Sequence, residues 1–330
     1  MSYTNGLDNP ELYFQVKLYT GNNSSQSITL DGDEDMQPDW TWIKSRSGSS
    51  RDHLLFDAIR TPTKFLKSNS NSAEATASDT LTAFATDGFN VGANGGVNDN
   101  GDTYASWNWK AGNSTSSNSD GDITSTVSVN TTAGFSIVSY TGNETTLQTV
   151  GHGLGVIPKW IIVKNRSTAG AWMIYHESLG VSSGTIQRFI QLDNTNAQNN
   201  GGSGDFPTAP TNSVFGIGNF QTMNKSGDSI IAYCFAEKKS YSKFGSYTGN
   251  GSTDGTFVYT GFRPAFTIFK RSSGTGGWLI HDNKRSESGG GNPLRKYLVA
   301  QTSGAEGTDD FFTIDHLSNG FKLRATDGES

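Results

Sequence analysis

Three aspartates alternate in LDGDED at 30–35, and Asp31, Asp33 and Asp35 share the spacing that opens a calcium-binding loop. The glutamate that closes such a loop is missing, because Trp42 falls at its position, so the stretch reads first as a solvated acidic loop and second as a metal site. His281-Asp282 could act as an acid/base pair, but the five histidines (His53, His152, His176, His281, His316) form no HxxxH spacing for a metal. GHGLG at 151–155 has closely spaced glycines without a Walker lysine and precedes a strand rather than a helix, so it reads as a loop. Cys234, flanked by Tyr233 and Phe235, reads as a buried thiol of no reactivity. Trp172 and Trp278 follow Gly/Ser loops and are the candidates for a ligand surface, where an indole could stack on a sugar ring. No catalytic residue and no cofactor is assigned.

These candidates sit inside a sequence that repeats. YTGN occurs in LYTGN at 18–22 and in SYTGN at 139–143 and 246–250. Each tag is followed by a proline-led apolar run ending in Lys: PDWTWIK at 38–44, PKWIIVK at 158–164 and PAFTIFK at 264–270. A second run comes next, HLLFD at 53–57, WMIYH at 172–176 and WLIHD at 278–282, then GFNVG at 88–92, VFGIG at 214–218 and GFKLR at 320–324. The first two copies close with YASWNWK at 104–110 and IIAYCFA at 230–236. Laid over one another, the copies put Asp57, His176 and Asp282 at one position and Phe56, Tyr175 and His281 at the next. A catalytic group would not change chemistry between copies, which argues for a strand-end structural role. Repeats of roughly 110 residues exceed solenoid periods, so each copy reads as a small module.

Composition agrees. The chain is 33% hydrophobic and 17% charged with 40 glycines, which favours short strands and tight turns over helices. A net charge of -6 gives no general attraction to nucleic acid, and no apolar run is long enough for membrane insertion. One cysteine excludes an intrachain disulfide, and the N-terminus has no signal-peptide pattern, so folding in a reducing compartment is expected.

The predicted fold is all-β, as tandem antiparallel β-sandwich modules: an N-terminal arm at 1–14, repeat 1 at 15–112, a linker with a possible strand at 113–134, repeat 2 at 135–239, and repeat 3 at 240–330 lacking its last strand. In the closing strands Ala105, Trp107 and Trp109, like Ile231, Tyr233 and Phe235, fall on one inward face, with Ser106 and Asn108 expected on a half-exposed outer one. Tyr140 is expected inward and Thr-Gly-Asn as a turn with positive φ at Gly142 or Asn143. Because nothing in repeat 3 corresponds to SWNWK or AYCFA, either the natural chain continues past Ser330 or a strand from elsewhere fills the slot.

The series YTGN, GHGLGVIPKWIIVKNR, IIAYCFAEKK, YSKFGSYTGNG and FVYTGFRPAFTIFKR resembles repeat-bearing, tail-fibre-like virion proteins of tailed phages of marine bacteria, cyanophages among them. That resemblance covers essentially the whole chain and implies a virion setting after synthesis in the bacterial cytoplasm, with other virion proteins as partners and no catalytic residues. A tail fibre presenting a surface to host glycans or an outer-membrane protein is the expected role, with capsid or tail decoration as the alternative. A polysaccharide-degrading enzyme is the outsider, since no carboxylate pair repeats in register. Self-association as a homotrimer is expected, because small modules bury limited area.

Overall fold

A computed structural model describes residues 6–48, 50–286 and 291–326, so the start of the arm and 327–330 lie outside the described residues. The chain is all-β in antiparallel sheets. The first unit holds β1 (Phe14–Thr20), β2 (Gln26–Ile28), β3 (Trp40–Ser45), β4 (Leu54–Asp57), β5 (Lys64–Lys67), β6 (Ala75–Thr76), β7 (Leu81–Phe84), β8 (Phe89–Val91), the helical turn α1 (Gly95–Asn98) and β9 (Thr103–Trp109). Its main sheet runs β1-β9-β3-β4-β5-β6, and a small sheet, β2-β8-β7, lies against it.

The second unit is preceded by β10 (Ser116–Asn118) and β11 (Ser125–Asn130), the segment read as a linker, and these add to its sheet beside β12 (Phe135–Thr141). Next come β13 (Gln148–Gly151), β14 (Trp160–Asn165), β15 (Met173–His176), β16 (Val181–Ser183), β17 (Ile186–Gln187), β18 (Ile190–Gln191), β19 (Val214–Ile217), α2 (Gln221–Asn224) and β20 (Ser229–Phe235). The main sheet order is β10-β11-β12-β20-β14-β15-β18, with β13-β19 as the small sheet. In the third unit β21 (Phe257–Tyr259), β26 (Ile314–Leu317) and β27 (Gly320–Leu323) make the small sheet, and β22 (Phe266–Lys270), β23 (Trp278–Asp282), β24 (Lys296–Val299) and β25 (Gly307–Thr308) the main one.

Strand alternation gives each main sheet two apolar faces. In β14, Trp160 and Ile162 point to one side and Ile161 and Val163 to the other, and each side enters a different core. The outer faces pack on the small sheets, as in the first unit, where Ile43, Phe56 and Tyr104 meet Leu81, Phe89 and Val91. All three inner faces meet one another. Cross-strand rows Val16–Trp107–Trp42–Leu55–Leu66, Ile137–Tyr233–Ile162–Ile174–Ile190 and Ile268–Ile280–Leu298 run into a single shared core. Each large apolar side chain buried there contributes about 1.5–3 kcal/mol. The three copies are therefore one body rather than separate beads.

Two local expectations need correction. Ser106 and Asn108 are fully buried, not half-exposed, because the outer face of β9 is covered: Asn108 donates to the Gln15 carbonyl at 3.2 Å and accepts from Thr41 at 3.1 Å. In the YTGN tags, Tyr140 is inward as expected, its hydroxyl donating to the Met223 carbonyl at 2.8 Å. Neither Gly142 nor Asn143 has positive φ, however. Glycine is required there by close approach, since a Cβ on Gly142 would lie 2.3 Å from the Lys225 carbonyl oxygen and one on Gly21 2.0 Å from that of Asp99. The tag thus locks the first strand of a unit onto the turn leading into its last strand, where Asn98 and Asn224 bond the Asn22 and Asn143 amides at 2.9 and 2.8 Å.

Candidate functional site

The polar residues of the chain converge at the seams between units, and the seams repeat with threefold regularity. His53, Trp172 and Trp278 occupy one position in the three copies. The His53 Nε2 donates to the Val299 carbonyl at 3.2 Å, Trp172 to that of Lys67 at 2.8 Å, and Trp278 to that of Gln191 at 2.8 Å. The three acceptors are equivalent as well, since each pairs with the residue after its donor's counterpart in its own unit. The lysines that end the proline-led runs do the same: Lys44, Lys164 and Lys270 reach the carbonyls of Ser303, Asn71 and Thr195 at 3.4, 3.2 and 3.3 Å. Contacts run from unit 1 to 3, from 2 to 1 and from 3 to 2, which closes a ring.

Two of the three seams also have an electrostatic clasp. In the first, Arg60 pairs with Asp57, both fully buried; Arg60 donates to the Leu55 carbonyl at 2.8 Å, and Tyr233 of the second unit donates its hydroxyl to Asp57 at 2.7 Å. Burial works against the Arg60 charge, but Asp57, Tyr233 and Glu74 outweigh it and hold the guanidinium more firmly protonated than usual. Glu74 in turn forks onto Arg166 at 2.8 and 3.1 Å. The third unit repeats this design toward the first. Arg285 meets Asp282 at 2.6 Å, Trp107 donates to Asp282 at 2.9 Å, and Arg46 forks onto Glu306 at 2.9 Å. Burial alone would lift the Asp282 carboxyl; Arg285 and the Trp107 N–H hold it below its ordinary range.

The second unit breaks the pattern. Where the others carry Asp and Arg three residues apart, it has His176 and Leu179, and Gln198 replaces the glutamate, its backbone N–H still donating to the Ser272 carbonyl at 2.9 Å. His176 faces not a closing strand but the ring of Phe244, with centroids 6.5 Å apart. Here a cavity of about 1330 Å³ opens where the second and third units meet the start of β1 of the first, lined by Phe14, His176, Leu179, Phe235, Phe244 and Phe266 among others.

Against this geometry the site candidates fall as follows. Trp172 and Trp278 are 0% and 5% exposed and sit in the seams, Trp278 also lining the cavity; the Gly/Ser loops before them bond a neighbouring unit through Gly170 and Gly276, whose N–H groups donate to the Asn71 and Thr195 carbonyls at 2.8 and 2.9 Å. Trp172→Phe is expected to lower stability by about 1–3 kcal/mol by removing the indole N–H that the Lys67 and Ser70 carbonyls share, read as a shift in urea midpoint. A ligand-facing tryptophan would leave the midpoint unmoved. Asp31, Asp33 and Asp35 are not brought together: among the described residues no group of three or more His, Cys, Asp or Glu converges, and Asp31 pairs with Lys17 at 2.5 Å. Cys234 is fully buried, and burial pushes its thiol up. His281 and Asp282 are both buried, with His281 bonded to the Phe312 carbonyl at 2.8 Å and Asp282 committed to Arg285. Arg60 and Arg285 were not foreseen, although the shared Asp-x-x-Arg spacing in DAIR and DNKR is visible in the sequence.

The repeat strings extend over nearly the whole chain, and so does the family match: residues 9–330 fit the family described as Domain of unknown function (DUF7483). The chain belongs to that family. No curated protein and no solved structure matches it. In this member of DUF7483 the matched region takes in all three units and every seam contact above, so the match spans the ring as a whole rather than one repeat.

Proposed function

We propose that this DUF7483 protein is a structural component of a tailed-phage virion, serving in a tail fibre or similar appendage that presents a host-binding surface. One observation carries the non-catalytic part of this reading: the two fully buried Asp–Arg pairs are consumed in holding units together, Asp57–Arg60 and Asp282–Arg285 each being cross-bonded to the next unit. A catalytic carboxylate needs an open face toward substrate, which neither pair has. The virion setting rests on the resemblance of the repeat strings. The lateral contacts for which a homotrimer was expected are supplied within one chain, so in this reading the single chain is already a stiff threefold module.

Decoration of the capsid or tail is the second reading, and the position of β22 at the edge of its sheet among the described residues favours it, because a sheet edge is suited to gripping another subunit. Gold-labelled antibody imaged on purified particles separates the two. A few labels at the tail are expected for an appendage, and labels spread over the head would replace that role with decoration. Unlabelled particles would overturn both.

A further inference from the structure

We infer that the outer edge of β22 is a docking groove for one extended strand from a partner polypeptide, with the pattern apolar–x–aromatic–x–aromatic, bound antiparallel. This inference does not depend on the virion reading.

The threefold ring specifies the missing piece. In the first unit β3 lies between β9 and β4, and in the second β14 lies between β20 and β15. Among the described residues their counterpart β22 pairs with β23 alone and ends its sheet. The inner-face residues record the difference: Trp40 and Trp42 are 0% and 1% exposed and Trp160 and Ile162 7% and 1%, whereas Phe266 and Ile268 are only half-buried. The cross-strand row of the third unit starts at Ile268, two positions short of the others. The third YTGN tag, which in the other copies ends a strand paired to the closing one, forms no strand here and lines the cavity instead. A segment whose pairing partner is absent has no ladder to join.

The neighbouring units fix the chemistry of the occupant. Opposite Trp40, Trp42 and Lys44 stand Trp109, Trp107 and Ala105; opposite Trp160, Ile162 and Lys164 stand Phe235, Tyr233 and Ile231. The residues facing Phe266, Ile268 and Lys270 should therefore be aromatic, aromatic and small or aliphatic. The position opposite Ile268 would meet His176 and Leu179, the uncharged replacement for the Asp–Arg clasp, so it needs no hydrogen-bonding group where Tyr233 and Trp107 needed one. Over five residues such a strand spans about 17 Å. The strands carrying this pattern in the first two units are paired along both edges, so a second copy of the chain has neither to lend.

The test uses the full chain and two synthetic peptides copied from it, residues 102–112 and 228–238, with a control in which both aromatic positions are serine. Saturable binding of the aromatic peptides is expected, with exchange of the 266–270 amides slowed at least tenfold and that of β3 and β14 unchanged. The serine control should not bind. Ile268→Asp should abolish binding while β3 and β14 keep their protection, which shows that the variant is folded. Absence of binding, equal binding of the control, or protection outside β22 would overturn the proposal. So would β22 amides as protected as those of β3 in the protein alone, whether the protein is then monomeric, with its own chain filling the groove, or dimeric, with a second copy doing so.

Discussion

Arg60→Met is expected to destabilise the protein by about 3–5 kcal/mol, seen as a lower urea midpoint at unchanged m-value. The reason lies in what the change leaves behind. Arg60 and Asp57 are both fully buried, and Asp57 lies under the Tyr233 hydroxyl of the next unit, so removing the guanidinium strands a carboxylate in a core that water does not reach. The Leu55 carbonyl loses its donor, and Glu74 keeps only Arg166. The double change Asp57→His, Arg60→Leu copies the solution found at 176 and 179 and removes both charges together. It should recover at least half of the loss, since replacing a buried pair costs far less than breaking it. A loss below about 1 kcal/mol for Arg60→Met would mean that the seam admits water and that the ring is looser than its contacts indicate.

What the sequence discloses and what it conceals divide along the ring. The proline-led runs, the closing strands and the inward set Ala105, Trp107 and Trp109 were legible because alternation and repetition are local signals. The seams were not. Trp107 finds Asp282 across 175 residues, and His53 finds Val299 across 246, and no spacing rule links residues so far apart. Trp172 and Trp278 are buried for the same reason: a tryptophan after a Gly/Ser loop looks exposed unless the neighbouring unit that covers it is known. Polar Ser106 and Asn108 looked solvent-facing because alternation reports side, not cover. One signal was readable and passed over. The Asp-x-x-Arg spacing kept in the first and third copies and lost in the second marks the very seam where the cavity lies.

Acid is expected to destabilise the protein well above the range in which carboxylates titrate. Burial, reinforced by Arg285 nearby, lowers His281 to about 3, and burial lowers His316 to about 4. His53, in the seam between the first and third units, is also held well below the ordinary value by burial and by Lys44. Among the described residues the Nδ1 atom of His281 is buried without a hydrogen-bond partner, so a proton added there places a charge where nothing accepts it. The unfolded chain takes up these protons near pH 6.5, while the folded chain refuses them until about pH 3 to 4. Between those limits the unfolded state binds more protons, so stability falls as pH falls. From pH 7 to 4.5 the loss is about 2–3 kcal/mol for each of His281 and His316, the smaller for His316. Asp39, Asp193 and Asp205, whose carboxyls burial raises, work in the opposite direction only toward the lower end of this range, and the depressed Asp282 adds its own loss only as pH falls below the ordinary carboxylate range. The check is urea unfolding at both pH values for the natural chain and for His281→Phe and His281→Tyr, which install the residues of the first and second copies at that position. Each variant should lose about 3 kcal/mol less than the natural chain on acidification. An undiminished acid loss in both would show that His281 is not among the groups that the fold keeps neutral.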